Sequence, residues 1–267
     1  MLKALTKMSN VQNFFENKAQ TGEWKSLYDE HNPSSYPFTI RLKKTVEMLN
    51  EKISGKEICD LGCGTGALIP HILEKNGKYT GVDFSKEMLS KIKSHQINEI
   101  NKDKVRLHHL DFNNSELNQK FDVLVGLGFI EYFEDPNKII KKCNNILNAE
   151  GIILLSFPNR LSFDFTMIRT LKFLRFILKK VFNIGRENPR RKMWSSEEAK
   201  ELFRHGNFEI LSVRNYYTNL AVYPFTILFP SLSFKLSKFC EKTFLNKINF
   251  FNGGYLMLAK KKNILCE

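Results

Sequence analysis

The chain has 267 residues, 42% hydrophobic and 26% charged, with 23 phenylalanines, which excludes a disordered, collagen-like or low-complexity polymer. Its five cysteines form no C-x-x-C pair and have no histidine at zinc-ligand spacing, which excludes a disulfide scaffold and a structural zinc. The net charge of +13 is lopsided: residues 1–150 hold 21 Lys and Arg against 20 Asp and Glu, whereas 151–267 hold 20 against 8, which points to an anionic partner for the C-terminal part.

The first 18 residues carry no apolar run of signal-peptide length, so a reduced, cytoplasmic chain is expected, able to lie peripherally on the inner membrane face. The expected organisation is an N-terminal helical cap over 1–50 and one α/β domain over 51–267. From 56 to 158, short apolar runs alternate with helical patterns, as βαβ units on a parallel sheet do. Strands are predicted at 57–61, 79–84, 105–112, 121–127 and 152–157, and helices at 67–76, 85–98 and 136–147. Ser85 is a candidate N-cap with Glu87 in the first turn, and Pro136 suits a first helical position.

An apolar, basic insertion follows at about 160–194, where Arg169, Lys172, Arg175 and Lys179 share one helical face. From 169 to 192 there are nine Lys or Arg and one acid, Glu187. A helix then runs from Ser195 or Ser196 to about Arg204, with strands at 208–217 and 253–260, making seven. Residues 215–234 carry no charge, but Pro224, Pro230, two Asn and three Tyr argue for a buried or interfacial segment rather than a membrane span.

The strongest motif is Asp60-Leu61-Gly62-Cys63-Gly64-Thr65-Gly66. A hydrophobic strand ends in an acid, and glycines then alternate through a tight turn into a helix. Glycine permits positive φ and lets a ligand touch the backbone, and the helix N-terminus offers free N–H groups. The spacing is neither the G-x-G-x-x-G of dinucleotide folds nor a P-loop. It resembles motif I of the class I S-adenosylmethionine (SAM)-dependent methyltransferases. Three further positions keep the register: Asp83 closing the second strand, Asp111 closing the third, and Phe121-Asp122-Val123-Leu124-Val125 followed by Glu131, Asp135 and Pro136.

Within that superfamily the chain is most similar to the small-molecule group that includes the ubiquinone-biosynthesis O-methyltransferases. The resemblance implies a seven-stranded, mostly parallel, Rossmann-like doubly wound α/β sheet whose last strand is antiparallel. It implies SAM as cofactor, held by Asp60, Gly62, Cys63, Gly64, Thr65, Gly66, Phe84 and Gly128. Asp83 would take the ribose hydroxyls, Asp111 the adenine amino group beside Phe112, and Arg41 the SAM carboxylate. A carboxylate suits a vicinal diol, and a guanidinium suits a carboxylate.

Where many relatives carry Glu-His, this chain has Glu131-Tyr132. With an ordinary pKa near ~10, Tyr132 is expected to orient or donate rather than abstract a proton. His31 is the remaining candidate base. The basic, Phe- and Leu-rich insertion suggests an amphiphilic acceptor and an anionic membrane surface reached through 161–192. Methylation is expected on oxygen. RNA methylation and a non-catalytic SAM-binding subunit are the alternatives; nucleic acid is disfavoured because Gly126-Leu127-Gly128-Phe129 replaces the motif of adenine amino-methylating enzymes.

Overall fold

The computed structural model describes residues 11–17, 19–21, 28, 32–95, 99–100, 102–170, 191–221 and 225–262. Seven strands form one sheet: β1 Glu57–Leu61, β2 Lys78–Asp83, β3 Val105–His109, β4 Phe121–Gly126, β5 Leu147–Pro158, β6 Phe208–Thr218 and β7 Asn252–Lys261. Their order is β3-β2-β1-β4-β5-β7-β6. The pairs from β3 through β5 are parallel, and β7 runs antiparallel to both β5 and β6. This is the expected sheet.

Both faces are covered, which is why the central strands read as near-continuous apolar runs. Along β4, Leu124 points into one core with Cys59, Ile139, Ile140 and Phe203, while Val123 and Val125 point into the other with Ile58, Ile69 and Ile72. The first core is roofed by α4 (Pro136–Asn145) and α6 (Ser196–His205). The second is roofed by α1 (Tyr36–Leu49), α2 (Ile69–Glu74) and α3 (Lys86–His95). Each fully buried Ile or Phe in these layers contributes about 1.5–3 kcal/mol.

Local chemistry sets the ends. Ser195, not Ser196, is the N-cap of α6: its hydroxyl accepts from Glu198 N and the Glu198 carboxylate accepts from Ser195 N, a capping box. Asp135 caps α4 ahead of Pro136. The predicted helix 67–76 is trimmed to Ile69–Glu74, because Ile69 N still donates to Gly66 O and the glycine turn reaches Leu68. The predicted strand 105–112 stops at His109, because Asp111 folds into a turn, its Oδ1 accepting from Asn113 N at 2.9 Å. β5 starts earlier than predicted, at Leu147, which pairs with Phe121 before the register slips and Val123 meets Ile152.

Of the basic insertion, α5 (Phe163–Thr170) carries Arg169, whereas Lys172, Arg175 and Lys179 lie outside the described residues. The uncharged stretch begins as the end of β6 and continues into α7 (Phe225–Leu228) and α8 (Pro230–Cys240). Among the described residues, no helix is long and apolar enough to cross a membrane.

Candidate functional site

The site lies beyond the carboxyl ends of β1 to β4, where open α/β sheets leave a crevice. Leaving β1, the chain passes through Gly62, Gly64 and Gly66 at φ of 70°, 54° and 75°, a conformation other residues adopt only with strain. The amides of Gly62 and Cys63 both donate to Val82 O, at 2.8 and 3.1 Å, which fastens the loop to β2. One residue further, Gly64 N donates to Asp83 Oδ2 and Ser85 N to Asp83 Oδ1, each at 2.8 Å. A carboxylate has about four lone-pair positions, so each oxygen of Asp83 keeps one for a ligand. Burial pushes the Asp83 carboxyl above its ordinary value, against the pull of these two N–H bonds.

A cavity of about 360 Å³ opens over this carboxylate. Its wall includes Gly62, Cys63, Gly64, Asp83, Phe84, Asp111, Phe112, Gly128, Arg41 and Tyr132, ten of the expected site residues in one place. Three others stand back from it. Asp60 is buried beneath the loop, its Oδ2 accepting from Tyr79 Oη at 2.9 Å, and burial raises it to about 7. A Cβ on Gly66 would lie 2.5 Å from Ile69 Cδ1, so that glycine serves the packing of α2. Thr65 likewise does not reach the wall. His31 lies outside the described residues.

On the far side, Asp111 is braced by Asn113 N and by Asn114 Nδ2, the latter at 2.7 Å. Phe112 is held edge-on by Phe129 at 5.7 Å, with the Lys142 ammonium 4.9 Å from its ring centre. Arg41 reaches in from α1. An ideal Cβ on Gly128, itself at φ 70°, would sit 3.2 Å from Arg41 Nη1, so the glycine makes room for the guanidinium. Burial alone would lower the Arg41 pKa, but Tyr216, Tyr28 and Glu131 around it outweigh that and hold it above its ordinary value.

Two buried polar atoms here have no hydrogen-bond partner among the described residues: Arg41 Nε and Glu131 Oε2. Such orphans are rare in folded proteins and call for a partner, which a water, an ion or a polar ligand can supply. Burial raises the Glu131 carboxyl, with Arg41 opposing, and lifts the Tyr132 phenol far above neutrality, so Tyr132 keeps its proton.

A helical cap over 1–50 was expected, but not which of its residues line the site. Phe14 and Phe15, from a helical segment at 11–17, line the cavity, and Phe15 packs edge-on against Tyr132 at 5.5 Å and Phe84 at 6.1 Å. Tyr28 and Arg191 were also missed as wall residues, as was Tyr216 behind Arg41. An aromatic pair in an otherwise polar N-terminal stretch was the one available signal. Among the described residues no cluster of His, Cys, Asp and Glu could hold a metal ion.

Residues 59–153 match the model of a methyltransferase domain. A ubiquinone biosynthesis O-methyltransferase of Haemophilus ducreyi is 32% identical over 110 residues, covering 40% of this chain and 47% of that protein. The protein of the same name from Vibrio atlanticus is 26% identical over 179 residues, covering 65% of this chain and 74% of that one. The chain thus spans about half of the first relative's length and about three quarters of the second's.

Among solved structures, the magnesium protoporphyrin IX methyltransferase of Synechocystis with bound S-adenosylhomocysteine superposes with a TM-score of 0.65 at 14% identity, over 95% of this chain and 99% of that one. A SAM-dependent methyltransferase of Clostridium acetobutylicum gives 0.55 at 17%, over 91% and 99%. Over residues 59–153 the chain thus matches a methyltransferase domain, and its fold is that of solved SAM-dependent methyltransferases.

Proposed function

We propose that this chain is a SAM-dependent methyltransferase that methylates an oxygen of a small amphiphilic or lipid-like acceptor. The observation that carries the cofactor reading is Asp83, locked by two backbone amides at the tip of β2 and facing the cavity beside the glycine turn. The residues present fit SAM. At Gly62 and Gly64 the turn presents bare backbone, Asp83 would offer two free lone pairs to a diol, and the orphaned Arg41 Nε and Glu131 Oε2 would meet the charges of an amino-acid end. Phe112 and Leu110 supply an apolar wall for a flat base beside Asp111.

When bound, SAM supplies a methyl group already activated on a sulfonium. The protein's own work is positioning, worth up to several kcal/mol when donor and acceptor are held in line. Phe15, Phe84 and Tyr132 close over the cavity and exclude water, which strengthens the electrostatics inside. Tyr132 Oη keeps its proton and would orient an acceptor oxygen that enters already ionised, as a phenolate or carboxylate, so that no base has to take a proton from it.

The amphiphilic character of the acceptor is supported by the aromatic wall of Phe14, Phe15, Phe38 and Phe129, and by the names of the curated relatives. The test is incubation with radiolabelled SAM and separate lipid–quinone and RNA fractions. Label in an organic-soluble methyl ether or ester is the expected result. Label in RNA, or none in either fraction despite cofactor binding, overturns the acceptor reading.

A further inference from the structure

Helix α8 is packed inside out. Its buried stripe is Ser233, Ser237 and Cys240, not its leucines and phenylalanines. Ser237 Oγ donates to Asn219 Oδ1 at 3.0 Å, and Ser233 Oγ to the Phe229 carbonyl at 2.9 Å. Just past the helix, the Glu241 carboxylate accepts from the Lys44 ammonium and, at 2.7 Å, from Thr218 N. These polar contacts fix the helix's rotation, and they turn Leu232 and Phe239 outward, 54% and 68% exposed. Leu228 and Phe229 before the helix, and Phe244, Ile248 and Phe250 after it, are exposed as well. Seven exposed apolar side chains within residues 228–250 point to an interaction surface.

The charge around this surface selects the partner. Lys235, Lys238, Lys242 and Lys247 are all exposed, and the sole acid between 225 and 251, Glu241, is spent internally on Lys44. The Lys238 ammonium lies 4.3 Å from the Phe234 ring centre, its stem laid along apolar surface with the charge at the rim. A second copy docking by two-fold symmetry would set lysines against lysines. Residues 171–190 of the chain, with six Lys or Arg and one Glu, would do the same.

We propose that the face formed by α8 and residues 244–250 docks on the anionic surface of a lipid bilayer. Leu232, Phe239 and Phe244 enter the acyl boundary, and the four lysines sit on headgroup phosphates. The face adjoins the cavity. Tyr36, at the start of α1, packs on Phe234 of α8 at 5.2 Å, and Phe38 and Arg41 of α1 line the cavity wall. The docking stands whatever the cavity binds.

Vesicle flotation of the full chain tests it, with phosphatidylcholine alone and mixed with phosphatidylglycerol. The wild type floats with the mixed vesicles and not with the neutral ones. Leu232→Ser with Phe239→Ser abolishes capture while leaving the thermal melt unchanged, since both side chains are exposed. Lys235→Gln with Lys238→Gln weakens binding roughly 25-fold, and less at high salt. Four results overturn the proposal: no wild-type capture; capture unaffected by either pair; loss confined to variants of the 169–192 insertion; or a dimer in sedimentation that the Leu232→Ser, Phe239→Ser pair dissolves.

Discussion

The Gly64 amide donates to Asp83 Oδ2 at 2.8 Å, joining the glycine turn to an acid 19 residues along the chain. The same carboxylate takes Ser85 N at the entry to α3. The turn, the end of β2 and the start of the next helix are therefore set by one side chain, before any ligand arrives. A site held this way loses little freedom on binding, which favours both affinity and alignment.

At Gly62 the turn has no room for a side chain. Gly62 is at φ +70°, and an ideal Cβ would lie 3.1 Å from Phe129 Cδ2, in a ring that also packs on Phe112. Gly62→Ala is expected to lower stability by about 1–3 kcal/mol and to weaken S-adenosylhomocysteine binding. Gly55, at φ +65° with nothing within 4 Å, is the control: its alanine variant lowers the melting temperature but leaves binding intact. Equal binding by both variants would contradict the placement of the turn in the site.

Arg41 is expected to act on one part of the cofactor. Arg41→Met removes the charged donor next to Gly128, and S-adenosylhomocysteine binding should fall roughly 10- to 100-fold. Methylthioadenosine, which lacks the amino-acid carboxylate, should bind wild type and variant alike. An equal loss for both ligands would place Arg41 elsewhere on the cofactor.

Asp60 predicts a pH dependence of stability. Burial raises its carboxyl from 3.8 to about 7 in the folded protein. At pH below roughly 4 the folded and unfolded chains both hold the proton, and this group's contribution to stability is fully present. As pH rises toward 7 the unfolded chain releases its proton first, and stability is lost across that window. Asp60→Asn keeps an acceptor for Tyr79 without the charge, so urea midpoints measured across the window should fall for the wild type and stay flatter for the variant. Parallel slopes would contradict the assignment.

Phe15 closes the cavity by its edge contacts with Phe84 and Tyr132. Phe15→Ala should speed release of S-adenosylhomocysteine roughly tenfold by removing part of a buried aromatic contact, with the melting temperature nearly unchanged. Unaltered release in stopped-flow would show that the segment at 11–17 does not gate the site.

Much of this was legible in the sequence because the informative contacts are local or periodic. The strand–glycine–helix turn, the acid ending β2 and the capped starts of α4 and α6 each depend on residues within a few positions of one another. Asp111 shows the limit: it lines the cavity but does not close the strand as expected, because its own side chain turns the chain by bonding Asn113 N. Gly66 looked like a ligand glycine and instead makes space for Ile69. Phe15, Tyr28, Arg191 and Tyr216 come from four separated segments that meet only when the sheet brings its ends together, and no local pattern announces such a meeting. The inverted α8 was hidden because its serines are buried by partners, Asn219 above all, that tertiary structure supplies.

Calorimetric titration of the purified chain with S-adenosylhomocysteine, beside Asp83→Ala under identical conditions, tests the cofactor site most directly. Binding at one site per chain is predicted for the wild type. The variant should lose at least about 100-fold in affinity, as expected when two charge-assisted hydrogen bonds are removed, and should keep a cooperative melt. No binding by the wild type, or equal binding by a folded Asp83→Ala, would contradict the assignment of this cavity to SAM.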